Sequence, residues 1–198
     1  AFWGCKSLLN ISLPDSMTCI GDMAFEWCES LRNVEIHDSV KDICYNAFIG
    51  CSSSWDDIIT PFDLTSIGNG AFRGCSSMAS IVIPGSVMSI GNGAFSGCSS
   101  LTSIRIPDDV INIGNGAFSG CKSLTSIRIP DGVTSIGKYA FYGCTSLESV
   151  TIPDSVTSIG IGAFEGCDSL SRRIIAKIEW WFGQSPFGEP LDEFDDDD

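Results

Sequence analysis

Cysteine is the residue in this chain with the most chemistry to offer: ten thiols in 198 residues, beside a single histidine, His37. A thiolate can act as a nucleophile, ligate zinc or enter a disulfide. Eight of the ten, Cys5, Cys28, Cys51, Cys75, Cys98, Cys121, Cys144 and Cys167, are separated by 23, 23, 24, 23, 23, 23 and 23 residues. A zinc site needs clustered Cys or His ligands, but there is no Cys-x-x-Cys pair and His37 has no second histidine to join it. Neither metal nor cofactor is expected. Equivalent positions in stacked units lie about 4.8 Å apart, where thiols pack as small hydrophobic groups without pairing. The column is therefore read as buried and free, and the off-column Cys19 or Cys44 as the place for an occasional disulfide. Unpaired thiols point to a reducing compartment.

Other reactive-looking residues are periodic too. Gly-Asn-Gly, as at Gly91–Gly93 and Gly114–Gly116, misses the phosphate-cradling spacing by one residue and recurs, which suits a corner and not a unique cofactor loop. Asp15, Asp38, Asp108, Asp131 and Asp154 form a broken acidic column after the Pro position, where turn chemistry explains them without a calcium ligand set. His37 stands in a Pro position and reads as a turn substitution. No acid–base or nucleophilic constellation emerges, so the chain is read as non-enzymatic.

The elements that position these residues follow from the repeat. Each column cysteine is preceded by an Ala-Phe pair, from Ala1-Phe2 to Ala163-Phe164, making eight Ala-Phe-x-x-Cys units with one inserted residue within 52–55. From Cys98 the unit runs Leu101, Ile104, Ile106, Pro107, Val110, Ile113, Gly114, Ala117, Phe118, Cys121. The alternation at Ile104-Arg105-Ile106 predicts a short half-buried strand, ended by Pro107-Asp108, with a second apolar side at Val110 and Ile113. Ile104, Ile106, Phe118, Cys98 and Cys121 are assigned to the core. A single unit is too small to fold alone, so stability must be shared between neighbours. The fold expected is a leucine-rich solenoid of stacked 23-residue units with parallel β-strands and turns.

The pattern Leu101-x-x-Ile104-x-Ile106-Pro107, Ile113-Gly114, Ala117-Phe118-x-x-Cys121 resembles the BspA-like leucine-rich repeat over residues 1–170. Departures are few: His37 for Pro, Cys44 for the Gly after Ile43, and a third unit shifted by its insertion. The resemblance implies a cell-surface or secreted protein of adhesion and protein binding, and no catalytic residues.

Both ends depart from the repeat. Ala1 occupies the position of Ala117 in its unit, so the pattern predicts further sequence upstream. The array is assigned to 1–171, a C-terminal cap to 172–183 and an acidic disordered tail to 184–198. Ile174, Ile175, Ile178, Trp181 and Phe182 would share one helical face; Ile174, Ala176, Ile178, Trp180 and Phe182 would alternate along a strand. The helix is the reading adopted, with the strand left open. Seven of the last ten residues are acidic, half of a net charge of -14.

That charge and a pI near 4.2 remove the electrostatic drive for nucleic-acid binding. No apolar stretch approaches the roughly 18–20 residues of a membrane span. A protein partner is what remains, met on the strand face where Ser12, Glu35, Ile59, Val82, Arg105, Arg128 and Thr151 project outward. Arg105 and Arg128 put like charges on neighbouring coils, an arrangement that solvent, Glu148 or an anionic ligand would relieve. Arg105, Arg128, Glu148 and Glu35 are the candidate partner-binding residues. The function expected is a recognition scaffold; the alternatives are a structural or accessory subunit of a larger assembly and, third, a surface adhesin.

Overall fold

The computed structural model describes residues 2–53 and 60–182. The chain winds into parallel coils whose corner strands β2 (Cys19–Ile20), β4 (Asp42–Ile43), β5 (Ser66–Ile67), β6 (Ser89–Ile90), β7 (Asn112–Ile113), β9 (Ser135–Ile136) and β11 (Ser158–Ile159) form one seven-stranded parallel sheet. Its register places Ile20, Ile43, Ile67, Ile90, Ile113, Ile136 and Ile159 opposite one another. On the other face β1 (Asn10–Ser12) pairs with β3 (Asn33–Glu35), and β8 (Ser126–Arg128) with β10 (Ser149–Thr151).

The strand expected at Ile104-Arg105-Ile106 does not form. The continuous sheet lies instead on the Val-x-x-Ile side; among the described residues the Ile-x-Ile face pairs strands at β1–β3 and β8–β10, with an isolated bridge residue at Val82. Ile104 and Ile106 still bury their side chains, so the alternation reports burial and not ladder hydrogen bonds. In the third coil Thr60 occupies the slot that Ile106 fills in its own coil. Its hydroxyl donates to the Val82 carbonyl at 2.5 Å. Nothing in residues 103–106 themselves accounts for the missing strand there. Ile59 lies outside the described residues.

Phe2, Phe25, Phe48, Phe72, Phe95, Phe118, Phe141 and Phe164 stack in one file, with successive ring centroids 5.2–5.5 Å apart. The Phe25 N–H donates to the Ala47 carbonyl of the next coil at 2.8 Å, and Phe48 to Ala71, Phe72 to Ala94, Phe95 to Ala117, Phe118 to Ala140 and Phe141 to Ala163 do the same. Alanine beside phenylalanine thus supplies a small, buried carbonyl-bearing neighbour for an axial hydrogen bond. His37 preserves the turn made by proline: Val40 donates to the His37 carbonyl at 3.0 Å just as Val110 donates to that of Pro107 at 3.2 Å.

The array ends in a helix, α1 (Arg172–Phe182), which decides between the two patterns left open for this segment. Ile174 and Ile175 pack against the core and Ile178 is 2% exposed, while Trp180 is 81% exposed. The acidic tail assigned to 184–198 lies outside the described residues. Ile178→Ala should lower stability by about 2–4 kcal/mol through the cavity it leaves, and Trp180→Ala should change it by less than about 0.5 kcal/mol. Urea unfolding of the two variants checks this; equal effects would mean that α1 does not cover the last coil.

Candidate functional site

The thiol column is more than hydrophobic filling. Cys28, Cys51, Cys75, Cys98, Cys121, Cys144 and Cys167 each donate an S–H bond of 3.0–3.3 Å to the carbonyl of the phenylalanine in the preceding coil. The Phe48 carbonyl, for example, accepts both the Cys51 N–H of its own coil and the Cys75 thiol of the next. Cysteine therefore satisfies the second lone pair of a buried carbonyl, a role that alanine cannot fill. Spacing alone cannot distinguish this donor from a packed small group; the signal available was that Cys, and not Ala or Val, recurs at every turn.

Burial makes these thiols poor nucleophiles. Desolvation pushes Cys51 and Cys121 up to about 12 and Cys75 and Cys98 well above the ordinary thiol value. Cys144 is raised by its hydrogen-bonded neighbour Cys167 and by burial. All ten cysteines are free, with Cys5 and Cys19 exposed and Cys44 half-buried. Among the described residues no group of three or more His, Cys, Asp or Glu is arranged to hold a metal ion.

The recurring Gly-Asn-Gly forms a corner whose middle residue has a defined task. Asn69 Oδ1 accepts the Asn92 N–H at 2.7 Å, Asn92 Oδ1 accepts that of Asn115 at 2.7 Å, and Asn115 Oδ1 accepts that of Lys138 at 2.8 Å. The second glycine, at Gly93 and Gly116, holds a positive φ of 61° and 60°, while Asn46 and Tyr139 adopt the same conformation in other coils. The acidic column is likewise absorbed into local contacts: Asp15 pairs with His37 at 3.1 Å and Asp38 accepts the Phe62 N–H at 3.4 Å.

The strand face is where the coils differ from one another. Ser12 and Glu35 meet side chain to side chain at 3.0 Å. Val82 is 73% exposed and the Arg105 side chain 85% exposed. Arg105 and Arg128 are on adjacent coils, but Glu148 is not their counter-charge: it is exposed and its backbone N–H donates to the Thr125 carbonyl. Asp108 sits between the arginines instead, 3.7 Å from Arg105 and 3.2 Å from Arg128, and Asp131 lies 3.8 Å from Arg128. The patch is a chain of alternating charges, so the expected like-charge clash is relieved within the turn column. Beside it, Ile81, Val82, Ile83, Gly85, Arg105, Pro107, Asp108 and Asp109 line a cavity of about 480 Å³. Gly85 stands where the later coils carry aspartate, and as a glycine it adds no side chain to this space.

Stacked 23-residue coils with parallel corner strands, a phenylalanine file and a variable lateral face define a leucine-rich repeat solenoid. The chain belongs to the BspA type leucine rich repeat family, whose model matches residues 1–123 and 88–187 in six copies. It is similar to a leucine-rich repeat protein from Bacteroides ovatus, with 39% identity, 84% of this chain and 43% of that chain covered, and a TM-score of 0.78. The Treponema pallidum leucine rich repeat protein is 32% identical over 96% of this chain and 78% of its own, with a TM-score of 0.72. The pneumococcal vaccine antigen PcpA, 22% identical over 83% of this chain and 50% of its own with a TM-score of 0.55, shares the fold. The chain thus spans less than half of the Bacteroides protein. A search of curated proteins finds no match. Among the described residues no helix is long and apolar enough to cross a membrane.

Raised thiol pKa values carry a stability consequence. Between about pH 9 and 12 the folded chain keeps protons on Cys51 and Cys121 that the unfolded chain releases. Their contribution is complete below the unfolded value and is lost as pH rises toward the folded one, at about 1.4 kcal/mol per pH unit for each thiol. The urea midpoint should therefore fall steeply above pH 9, and Cys121→Ala should make that fall shallower while lowering stability at pH 7. A midpoint independent of pH from 9 to 11 would show that the column is not buried as thiol.

Proposed function

We propose that the chain is a non-catalytic recognition scaffold that binds a protein partner on the strand face, centred on Val82, Arg105 and Arg128. The observation that carries this is the cavity beside Arg105, where an exposed valine, an open Gly85 position and an arginine meet on a face whose residues change from coil to coil. Internal columns repeat and offer every coil the same surface, whereas selective binding needs a place where coils differ. Arg105 and Arg128 are ion-paired at the surface, and exposed pairs of this kind contribute little to folding. Their conservation of fold on mutation follows, which makes them clean probes of binding. A surface-displayed or secreted setting is the one that suits the family, and it is part of this proposal.

A second reading, an accessory subunit docked end-on, draws on the first coil. Phe2 and Trp3 are exposed there, and Phe2, Leu13, Met17, Ile20 and Phe25 border an apolar cavity of about 260 Å³.

The two readings separate experimentally. Val82→Asp combined with Arg105→Ala and Arg128→Ala should abolish partner capture while leaving circular dichroism and melting unchanged. Trp3→Ala, at the first coil, should leave capture intact. Capture should also weaken between low and high salt, because exposed charges are screened within about 8 Å at physiological ionic strength. Undiminished capture by the folded triple variant removes the strand face as the binding surface, and loss with Trp3→Ala alone favours end-on docking.

A further inference from the structure

The corner that carries Gly-Asn-Gly holds a groove of about 400 Å³ that shares no residue with the cavity beside Arg105. Its floor is the second glycine of the motif in three successive coils, Gly70, Gly93 and Gly116. A Cβ added at Gly93 or Gly116 would meet, among the described residues, only the Ser96 or Ser119 Cβ, 3.8 Å away, so the space above these coils is open. Over Gly70 it is closed, because a Cβ there would strike the Asn46 side chain. Tyr45, Asn46 and Arg73 thus form one end of the groove, and beyond its other end Tyr139 and Tyr142 take the positions of Gly116 and Ser119.

The end wall departs from the repeat. Tyr45 stands where Asn69, Asn92 and Asn115 stand in later coils, and Arg73 where Ser96 and Ser119 stand. Tyr45 is 47% exposed, and its backbone N–H is held by Asp22 Oδ1 at 3.0 Å, the same rung that joins the asparagines. Arg73 is exposed and, among the described residues, in no ion pair. No residue lining the groove is acidic, whereas Asp108 and Asp109 line the cavity beside Arg105. On a chain of net charge -14 this groove is a local positive site. The floor adds donors in a fixed array. Asn69 and Asn92 spend Oδ1 on the axial ladder, which sets the orientation of each carboxamide and leaves Nδ2 to donate from an exposed position. The coils stand 5.4 Å apart at the phenylalanine rings, so these donors and the Ser96 and Ser119 hydroxyls recur at a regular step on a rigid wall.

We infer that the groove binds an acidic oligosaccharide, a chain of hydroxyl-bearing rings that carries a carboxylate. Arg73 takes the carboxylate through paired N–H···O bonds, the Tyr45 ring covers the apolar face of a sugar, and the Asn69 and Asn92 Nδ2 groups meet ring hydroxyls on successive coils. The ladder holds those amides before the ligand arrives, so little side-chain freedom is lost on binding. Amides and hydroxyls alone would serve a neutral sugar equally; Arg73 selects the acid. A peptide is poorly served here. The Gly70 N–H donates to the Asn92 carbonyl and the Gly93 N–H to the Asn115 carbonyl, both at 2.8 Å, so the backbone is bonded from coil to coil and offers no edge to an added strand. A floor of glycine, serine and asparagine gives a peptide side chain no apolar pocket.

The test is to titrate the full chain against oligogalacturonate, hyaluronan fragments and sialyllactose, each beside its methyl ester, which keeps the rings and removes the charge. At least one of the three acids should bind, with its ester held about tenfold or more weakly. Arg73→Ser and Tyr45→Asn install the repeat's own residues and so keep the fold, which circular dichroism checks. Arg73→Ser should weaken the acid by about tenfold and abolish its preference over the ester, whereas Tyr45→Asn should weaken acid and ester alike. Asn92→Asp keeps a ladder oxygen, as Asp22 does for Tyr45, but loses the Nδ2 donor, and it should weaken both ligands. The strand-face variant with Val82→Asp, Arg105→Ala and Arg128→Ala should bind as the wild type does, which keeps this site distinct from the one proposed for a protein partner. Binding of none of the three acids, equal affinity for acid and ester, full affinity in Arg73→Ser, or loss in the strand-face variant would overturn the proposal. So would displacement of the saccharide by polyglutamate at equal concentration, which would show a groove open to any acidic chain.

Discussion

The axial hydrogen bond from each Phe N–H to the Ala carbonyl of the next coil is the constraint on which the stack depends. It demands that every coil return to the same point, because a buried N–H displaced from its acceptor is left without water or partner. The one coil with an extra residue shows how strict the demand is. Phe48 and Phe72 are 24 residues apart, yet their rings stack at 5.5 Å and Phe48 still donates to Ala71 at 2.8 Å. The Gly68 N–H likewise finds the Ile43 carbonyl at 2.7 Å, so the corner sheet runs through without a break.

Two faces of one coil are thus held to different tolerances. At the corner, the glycine column that follows each corner strand brings successive backbones so close that a Cβ at Gly114, Gly137 or Gly160 would stand 2.4–2.6 Å from backbone atoms of the coil before. Such contact leaves no room for adjustment, and asparagine carboxamides add a second set of bonds along the same axis. Across the stack, Ile104 and Ile106 need only remain buried, which a segment outside any strand ladder achieves as well as a strand. Thr60 can even enter this layer, because a single carbonyl, that of Val82, satisfies its hydroxyl.

This difference explains what was legible in the sequence. Period, coil architecture and the buried columns follow from apolar spacing, since burial leaves a direct mark on residue type. Hydrogen bonds do not. Ile-x-Ile reads as strand whether or not a ladder forms, and the continuous sheet lies where only Val-x-x-Ile marks it. A cysteine that donates to a carbonyl reads the same as one that merely fills space, and an asparagine between two glycines reads as a turn residue before it reads as a rung. The helix Arg172–Phe182 satisfies a helical and an alternating pattern at once; with Ile174, Ile175 and Ile178 on one side, packing against the last coil selects the helix. Among the charges, Arg105 and Arg128 were visible as neighbours, but their pairing with Asp108 and Asp131 depends on how far the Pro-Asp turn swings back over the face, which no spacing encodes.

A repeat protein carries its information in departures from the repeat, because a residue that recurs in every coil answers to the stack alone. The departures here are not scattered. On the lateral face Thr60, Val82, Gly85 and Arg105 fall on three successive coils, and the last three line the cavity, with the arginine at its edge. At the other end of the stack Cys19, His37 and Cys44 fall on the first two, where His37 contacts Asp15. Between and beyond them the columns run uniformly, supplying the rigidity that holds each irregular cluster in place. Selective contact is expected where the lateral face changes; the stack itself does not require it.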